Sequence, residues 1–341
     1  MSRPKYIKLV EFVAHQGDVR CVKFGRQSSG VLVTGGDDRM VNLWAIGRTT
    51  ATLSLSGHQS SVESVTFDRD EEVVASGGLN GSIKLFELSV GKVTRSLSGH
   101  KSDVLSLEFH PFGTSLASGS MDTNVKVWDL RSKDAIQTCK GHTAGVTHVK
   151  FSPDGKWIAS GSLDGSVKIW DMTAGRLISE LSAPTRYEVT GLEFHPFEFL
   201  LATSSRDRCV RIWDLEQFSA AETIGPDATP VRNIAFHPDG RFLFTALQDG
   251  MRVWGVDPSQ QYDYLDVPWY RLSDMVVLSH RGQQRVMGCS FNGSMVGVYY
   301  VGLRHLKPFC DDPDFLAGDV GGSSGQGGCG GGGGGGLGGG G

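Results

Sequence analysis

The sequence predicts an all-β protein built as a closed ring of repeated antiparallel sheets. Three observations predict it. A unit recurs about every 42 residues; short alternating apolar segments inside each unit are separated by tight-turn residues; and one unmatched strand at the start of the chain and three at its end together complete one further unit. The unit is plainest in residues 141–172, GHTAGVTHVKFSPDGKWIASGSLDGSVKIWDM, where VTHVKF, WIASGS and VKIWDM are divided by Ser-Pro-Asp-Gly and Asp-Gly. Turns of that composition close hairpins, so the unit reads as a three-stranded meander.

The spacing of the closing aromatic residue carries the argument along the chain. Trp44, Phe86, Trp128, Trp170, Trp213 and Trp254 lie 42, 42, 42, 43 and 41 residues apart. A period of about 40 to 45 with Gly-His and Trp-Asp ends is that of β-propellers with four strands per blade. The opening histidines are His15, His58, His100 and His142, followed by the turn residues Asp38, Asn80, Asp122 and Asp164. Repeats five and six keep the turn residue as Asp207 and Asp249 but lack the histidine. A hydroxyl stands four residues before every turn residue: Thr34, Ser76, Ser118, Ser160, Thr203 and Thr245.

The two ends set the blade count. KLVEFVAH before repeat one has the spacing of VTRSLSGH before His100, so it reads as an outer strand without inner partners. After Trp254, LSDMVVL, RVMGCSF and MVGVYYV supply three strands and lack a fourth. Pairing the two remnants closes a seven-bladed ring over residues 1–308 and removes its exposed edges. From residue 309 the composition changes, with 16 of the last 21 residues glycine, and a flexible disordered tail over 309–341 is expected.

Composition narrows the function classes. A formal net charge of −4 with pI near 6.2 gives no global basic field for nucleic acid. No segment approaches the roughly 20 apolar residues of a membrane span, and MSRPKYIKLVEFVAH has no secretory core, so a soluble intracellular protein with no membrane partner is expected. Cys21, Cys139, Cys209, Cys289, Cys310 and Cys329 lie far apart without a CxxC pair, which reads as buried thiols rather than a disulfide or zinc framework. There is no phosphate loop and no HExxH. Residues 321–325 satisfy GxSxG, but no strand precedes them and polyglycine follows, so the nucleophile-elbow context is missing. No cofactor and no metal are expected, and the chain reads as a non-enzyme.

His, Ser and Asp are also the parts of a nucleophilic triad. A catalytic constellation occurs once, whereas this one recurs, and that favours a structural role. In these features the chain resembles the WD-repeat family over roughly residues 5–308. The resemblance implies hydrogen-bonded tetrads of His15, Thr34, Asp38 and Trp44, of His100, Ser118, Asp122 and Trp128, and of His142, Ser160, Asp164 and Trp170. In repeat two Phe86 cannot donate a hydrogen bond, so a weaker network is expected there.

Segments between the anchors resemble a narrower family. KLVEFVAHQGDVRCVKFG, GLNGSIKLFELSVGKVTRSLSGHKSDVLSLEFHPFG and SFNGSMVGVYYVGLRHLKPF are similar to the propeller of the katanin regulatory subunit. That resemblance implies a non-ATPase scaffold or targeting subunit in the cytoplasm and cytoskeleton. Its partners would be a microtubule-severing AAA ATPase catalytic subunit and microtubules or tubulin. The family's C-terminal helical domain, which binds the ATPase, has no counterpart in the glycine-rich end, so the resemblance covers the propeller alone. A second resemblance points elsewhere: Trp128, Asp129, Leu130 and Arg131 form the WDxR ending with which some propellers dock on a cullin-type ubiquitin ligase adaptor, chiefly through the Arg.

Partner contacts are expected beside the Asp turns. Leu79, Met121 and Leu163, each just before its turn residue, form an apolar arc if exposed, or pack into the turn. Arg206 and Arg208 with Arg186, and separately Arg39, offer positive charge to an acidic partner such as a tubulin surface, or form solvated loops.

Overall fold

Alternating apolar side chains let each repeat pair its own strands into a sheet whose apolar faces the neighbouring blades cover. In repeat four Val146–Phe151, Trp157–Ser162 and Ser166–Asp171 pair as an antiparallel meander, and Leu177–Ser182 adds the outer strand. The computed structural model describes residues 5–310 except 29, 133 and 281–282. The expected glycine-rich tail lies outside the described residues from 311 onward, as does Cys329.

Among the described residues, 28 strands form seven four-stranded sheets. Six are built in chain order from inner to outer strand. The seventh takes Leu272–His280, Gln283–Asn292 and Met295–Gly302 from one end of the chain and Tyr6–Val13 from the other. Tyr6–Val13 runs antiparallel to Met295–Gly302, with Phe12 opposite Val296. The protein is therefore a seven-bladed β-propeller closed by its N-terminal strand. The inner strands of successive blades lie side by side round the whole ring, and Leu272–His280 meets Val19–Phe24.

The blades are joined by apolar faces and by polar stitches at every seam. Between blades four and five, Val167, Ile169 and Leu181 pack on Val189, Leu192 and Trp213. Between blades seven and one, Phe12, Val276 and Val298 pack on Val22, Phe24 and Trp44, with the Phe12 and Trp44 rings 4.3 Å apart. The stitches come from the inner strands. Cys21 Sγ donates to the Val62 carbonyl at 3.6 Å, Ser64 to Val104 at 2.7 Å, Thr147 to Val189 at 3.1 Å and Thr190 to Val231 at 2.7 Å. Asn233 donates to the Ser273 carbonyl at 3.2 Å and Ser273 to Val22 at 3.0 Å, while Ser106 Oγ accepts the Val149 amide at 3.1 Å. Each stitch satisfies a group that the axial strands leave unpaired, and a net contribution of about 1 kcal/mol apiece is typical.

Past the last strand, Leu303, Leu306 and Phe309 are buried under blades six and seven, with the Phe309 ring 4.8 Å from Phe242. Asp263 Oδ2 accepts both Lys5 Nζ at 3.3 Å and the Lys307 amide at 3.1 Å. Cys21, Cys139 and Cys289 are buried free thiols, Cys209 is a partly buried one, and Cys310 is partly buried.

Candidate interaction faces

The repeated polar residues meet inside the blades. His15 Nδ1 lies 2.8 Å from Asp38, its Nε2 2.8 Å from Thr34, and Trp44 Nε1 donates to the same hydroxyl at 3.0 Å. In blade three His100 sits 2.8 Å from Asp122 and 2.7 Å from Ser118, and Trp128 donates to Ser118 at 2.8 Å. Blade four repeats this with Asp164 at 3.1 Å, Ser160 at 2.8 Å and Trp170 at 2.7 Å. Every donor finds an acceptor if the indole donates to the hydroxyl, the hydroxyl to Nε2, and Nδ1–H to the carboxylate. The glycine before the histidine has a packing reason: Gly99 has φ 154°, and a Cβ there would stand 3.3 Å from the Trp128 ring.

Blade two lacks two of these links. His58 Nε2 reaches Ser76 at 2.6 Å, but its Nδ1 is buried without a partner, and Asn80 Oδ1 is occupied by Ser82. Burial, with the Lys84 charge behind it, pushes the His58 pKa down to about 4. Asn80→Asp is expected to give Nδ1 an acceptor, raising the His58 pKa and stabilising the fold by about 1 kcal/mol. Urea midpoints with an NMR titration of His58 check this, and no change in either would refute it.

Blades five and six replace the imidazole by a route that spacing alone did not reveal. Thr185 occupies the histidine position and donates to Asp207 at 2.8 Å, while Arg211, opposite Thr203 in register, pairs with Asp207 at 2.5 Å. In blade six the turn is one residue shorter, because Thr245 pairs with Arg252 whereas Ser160 pairs with Lys168. Asp249 therefore does not take the place of Asp164; Asp227, at the histidine position, holds Arg252 at 2.6 Å. Trp213 and Trp254 still donate to Thr203 and Thr245, at 2.8 and 3.1 Å. The legible signal was an Arg opposite the hydroxyl in the two repeats without histidine.

The face carrying the Asp turns presents the residues singled out for partner contacts. Leu79 and Met121 are 46% and 42% exposed, and Leu163 is half-buried. Met121 and Leu163 flank Gly145, where a Cβ would collide with the Met121 sulfur, so blades three and four form one apolar strip with Leu79 on the adjoining blade. Arg39 and Arg208 follow their turn residues at φ 67° and 70°, a left-handed backbone that Gly81 and Gly165 adopt in blades two and four. An L-residue there costs roughly 1–2 kcal/mol. Arg186, Arg206 and Arg208 are exposed together on blade five, with Arg206 paired to Glu188 at 3.1 Å. Arg39 is exposed on blade one, which does not adjoin blade five.

On the opposite face Asp129 Oδ1 accepts the Arg131 amide at 2.8 Å. Asp171 and Asp214 cap their turns in the same way, at Thr173 and Glu216, so the Asp of the Trp-Asp ending closes a turn in blades that lack the Arg. Trp128 is buried, and the exposed Arg131 guanidinium makes no ion pair among the described residues. Along the axis, Lys150 bridges Glu108 at 3.4 Å and Glu193 at 3.2 Å, and Asp274 holds Lys23 at 3.1 Å and Arg26 at 3.5 Å. These channel charges are paired across blades rather than set out as a free acid and base.

Comparison with known proteins agrees with the geometry. The family described as WD domain, G-beta repeat matches residues 7–45, 49–87, 91–129, 133–171, 175–214 and 221–255. The chain is 59% identical over 75 residues to the Arabidopsis thaliana katanin p80 WD40 repeat-containing subunit B1 homolog KTN80.3, which is 22% of this chain and 9% of that protein. It is 45% identical over 67 residues to katanin p80 WD40 repeat-containing subunit B1 of Xenopus tropicalis, 20% of this chain and 10% of that protein. Protein Atg16l2 of Mus musculus is 46% identical over 57 residues, 16% of this chain and 9% of that protein. The matched stretch thus spans about a tenth of the length of these relatives.

Proposed function

We propose, since this chain belongs to the WD-repeat family, that it is a non-catalytic scaffold and targeting subunit of a katanin-type complex, bringing the severing ATPase subunit to microtubules in the cytoplasm. The similarity to p80 subunit B1 proteins supports the complex. The observation that carries the targeting role is the exposed arginine cluster of Arg186, Arg206 and Arg208 on the turn face. Positive charge exposed on one face suits an acidic partner surface, which it would attract electrostatically.

Co-sedimentation of the purified chain with taxol-stabilised microtubules tests this. Binding is expected to fall about tenfold or more in Arg186→Glu/Arg206→Glu/Arg208→Glu and to weaken with salt. Equal sedimentation of parent and variant would overturn the reading. The second reading, docking on a cullin-type ligase adaptor, rests on the exposed Arg131, which has no ion pair among the described residues. In the same series Arg131→Ala is expected to sediment normally, and loss of adaptor copurification in that variant alone would favour the ligase.

A further inference from the structure

The face opposite the Asp turns carries a feature that neither reading uses. The loops after the inner strands of blades three, four and five read HPFG at 110–113, SPDG at 152–155 and HPFE at 195–198. Each is a tight turn with proline second, and in blades three and five Phe112, Phe197 and the following Phe199 stay 69%, 75% and 56% exposed. Trp157 lies between blades four and five, its ring 6.1 Å from both Phe199 and Phe218. Phe112, Trp157, Phe197 and Phe199, together with Pro153, Pro196 and Leu215, line a groove of about 500 Å3. Clustered exposed aromatics of this kind mark a site for a partner.

Two further observations say what the partner is. The Trp157 indole N–H, unlike those of Trp128 and Trp170, donates to no group among the described residues; the hydrogen bonds of Trp157 run through its main chain, to Ser152. The charged side chains lining the groove are both carboxylates, Asp154 and Glu198. Asp154 is held by the Ser152 hydroxyl at 2.6 Å and faces the exposed Lys156 at 3.5 Å, whereas Glu198 is exposed and has no ion pair among the described residues. A proline-rich chain in the polyproline II conformation fits all three features. Its rings stack on aromatic walls, its carbonyls have no internal hydrogen bonds and accept from an indole, and its stiffness lowers the entropic cost of docking. A helix bonds its own carbonyls and would leave the indole unanswered. The carboxylates add a preference for a flanking cation.

We propose that the Phe112–Trp157–Phe197–Phe199 groove docks an extended proline-rich segment of a partner protein that carries an adjacent Arg or Lys. The proposal goes beyond microtubule targeting and concerns the opposite face, so either can fail alone. The test is fluorescence anisotropy of the full chain with a labelled Arg-Pro-Leu-Pro-Pro-Leu-Pro peptide, its Glu-for-Arg counterpart and a basic amphipathic helical peptide. Saturable binding to the first peptide is expected. Phe197→Ser should weaken it about tenfold. Glu198→Lys should weaken it about two- to fivefold and recover with the Glu peptide. Both positions are exposed, so the variants keep the parent melting temperature, and Leu79→Ser on the other face should bind like the parent. Absence of saturation up to about 1 mM, indifference to Phe197→Ser, or tighter binding of the helical peptide would each overturn it.

Discussion

Removal of residues 1–13 is expected to abolish the cooperative thermal transition of the ring rather than shift it by a few degrees. The segment is the outer strand of blade seven, pairing from Tyr6 opposite Val301 to Val13 opposite Met295. It also carries Phe12, buried against Trp44 of the next blade. Truncating a buried Phe alone costs about 3–5 kcal/mol, and a domain's whole stability is about 5–15 kcal/mol. Deletion removes that side chain together with a ladder of main-chain hydrogen bonds. It also opens the edge of Met295–Gly302, which invites pairing with a second chain. Calorimetry with size-exclusion chromatography checks this: a lost or strongly broadened transition and self-association are expected. Phe12→Ala should retain a transition at lower temperature. A truncated chain that melts like the parent as a monomer would show that blade seven closes without its fourth strand.

Asp274→Ala is expected to be the most destabilising single substitution on the channel wall, by about 3 kcal/mol. The side chain is buried and accepts Lys23 Nζ at 3.1 Å, Arg26 at 3.5 Å and the Phe24 amide at 3.0 Å, all from blade one. Removing one partner of a buried pair costs about 3–5 kcal/mol, and the lower end applies because Lys23 and Arg26 reach channel water. Asn keeps an acceptor for the Phe24 amide, so Asp274→Asn should lose less. Burial alone would raise the Asp274 pKa, but the Lys23 and Arg26 charges and the Phe24 amide outweigh it and hold it below the ordinary value. A carboxyl depressed in the folded state contributes stability above its unfolded pKa of about 3.9 and loses it as pH falls through the folded value. The gap between parent and Asp274→Asn should therefore be full near neutral pH and narrow below about pH 4. Urea midpoints across that range decide it, and a gap independent of pH would remove the charge from the explanation.

Six of the seven blades could be read from the chain because their anchors recur locally. A hydroxyl four residues before the turn and a Trp six after it fall within one hairpin pair, as Ser160, Asp164 and Trp170 do, so spacing along the sequence reports contact. Closure was legible for a related reason, since two incomplete remnants have one economical pairing. The seams were not. Alternation could not place Ser64, Thr147 and Ser273, because the register shifts after Val62, Val146 and Leu272, and nothing local says which carbonyl of the next blade each meets. The Arg211 and Arg252 pairs escaped because they replace a missing residue from a different strand. Phe112 and Phe197 stood in HPFG and HPFE, where the proline signals a turn and nothing local tells whether the phenylalanine folds in or out. The face singled out beforehand was the one bearing the repeated Asp; the larger exposed aromatics lie on the other.

The shared carboxylate of Asp263 has a consequence for how the chain can be re-cut. Lys5 and Lys307 are tied to the same side chain, so the polypeptide is a circle lacking one short join. A circular permutant that bridges residues 5 and 307 and opens instead in the exposed 47–50 turn preserves all seven sheets. By the same geometry, the chain enters the ring at Lys5 and leaves it at Lys307 at one corner.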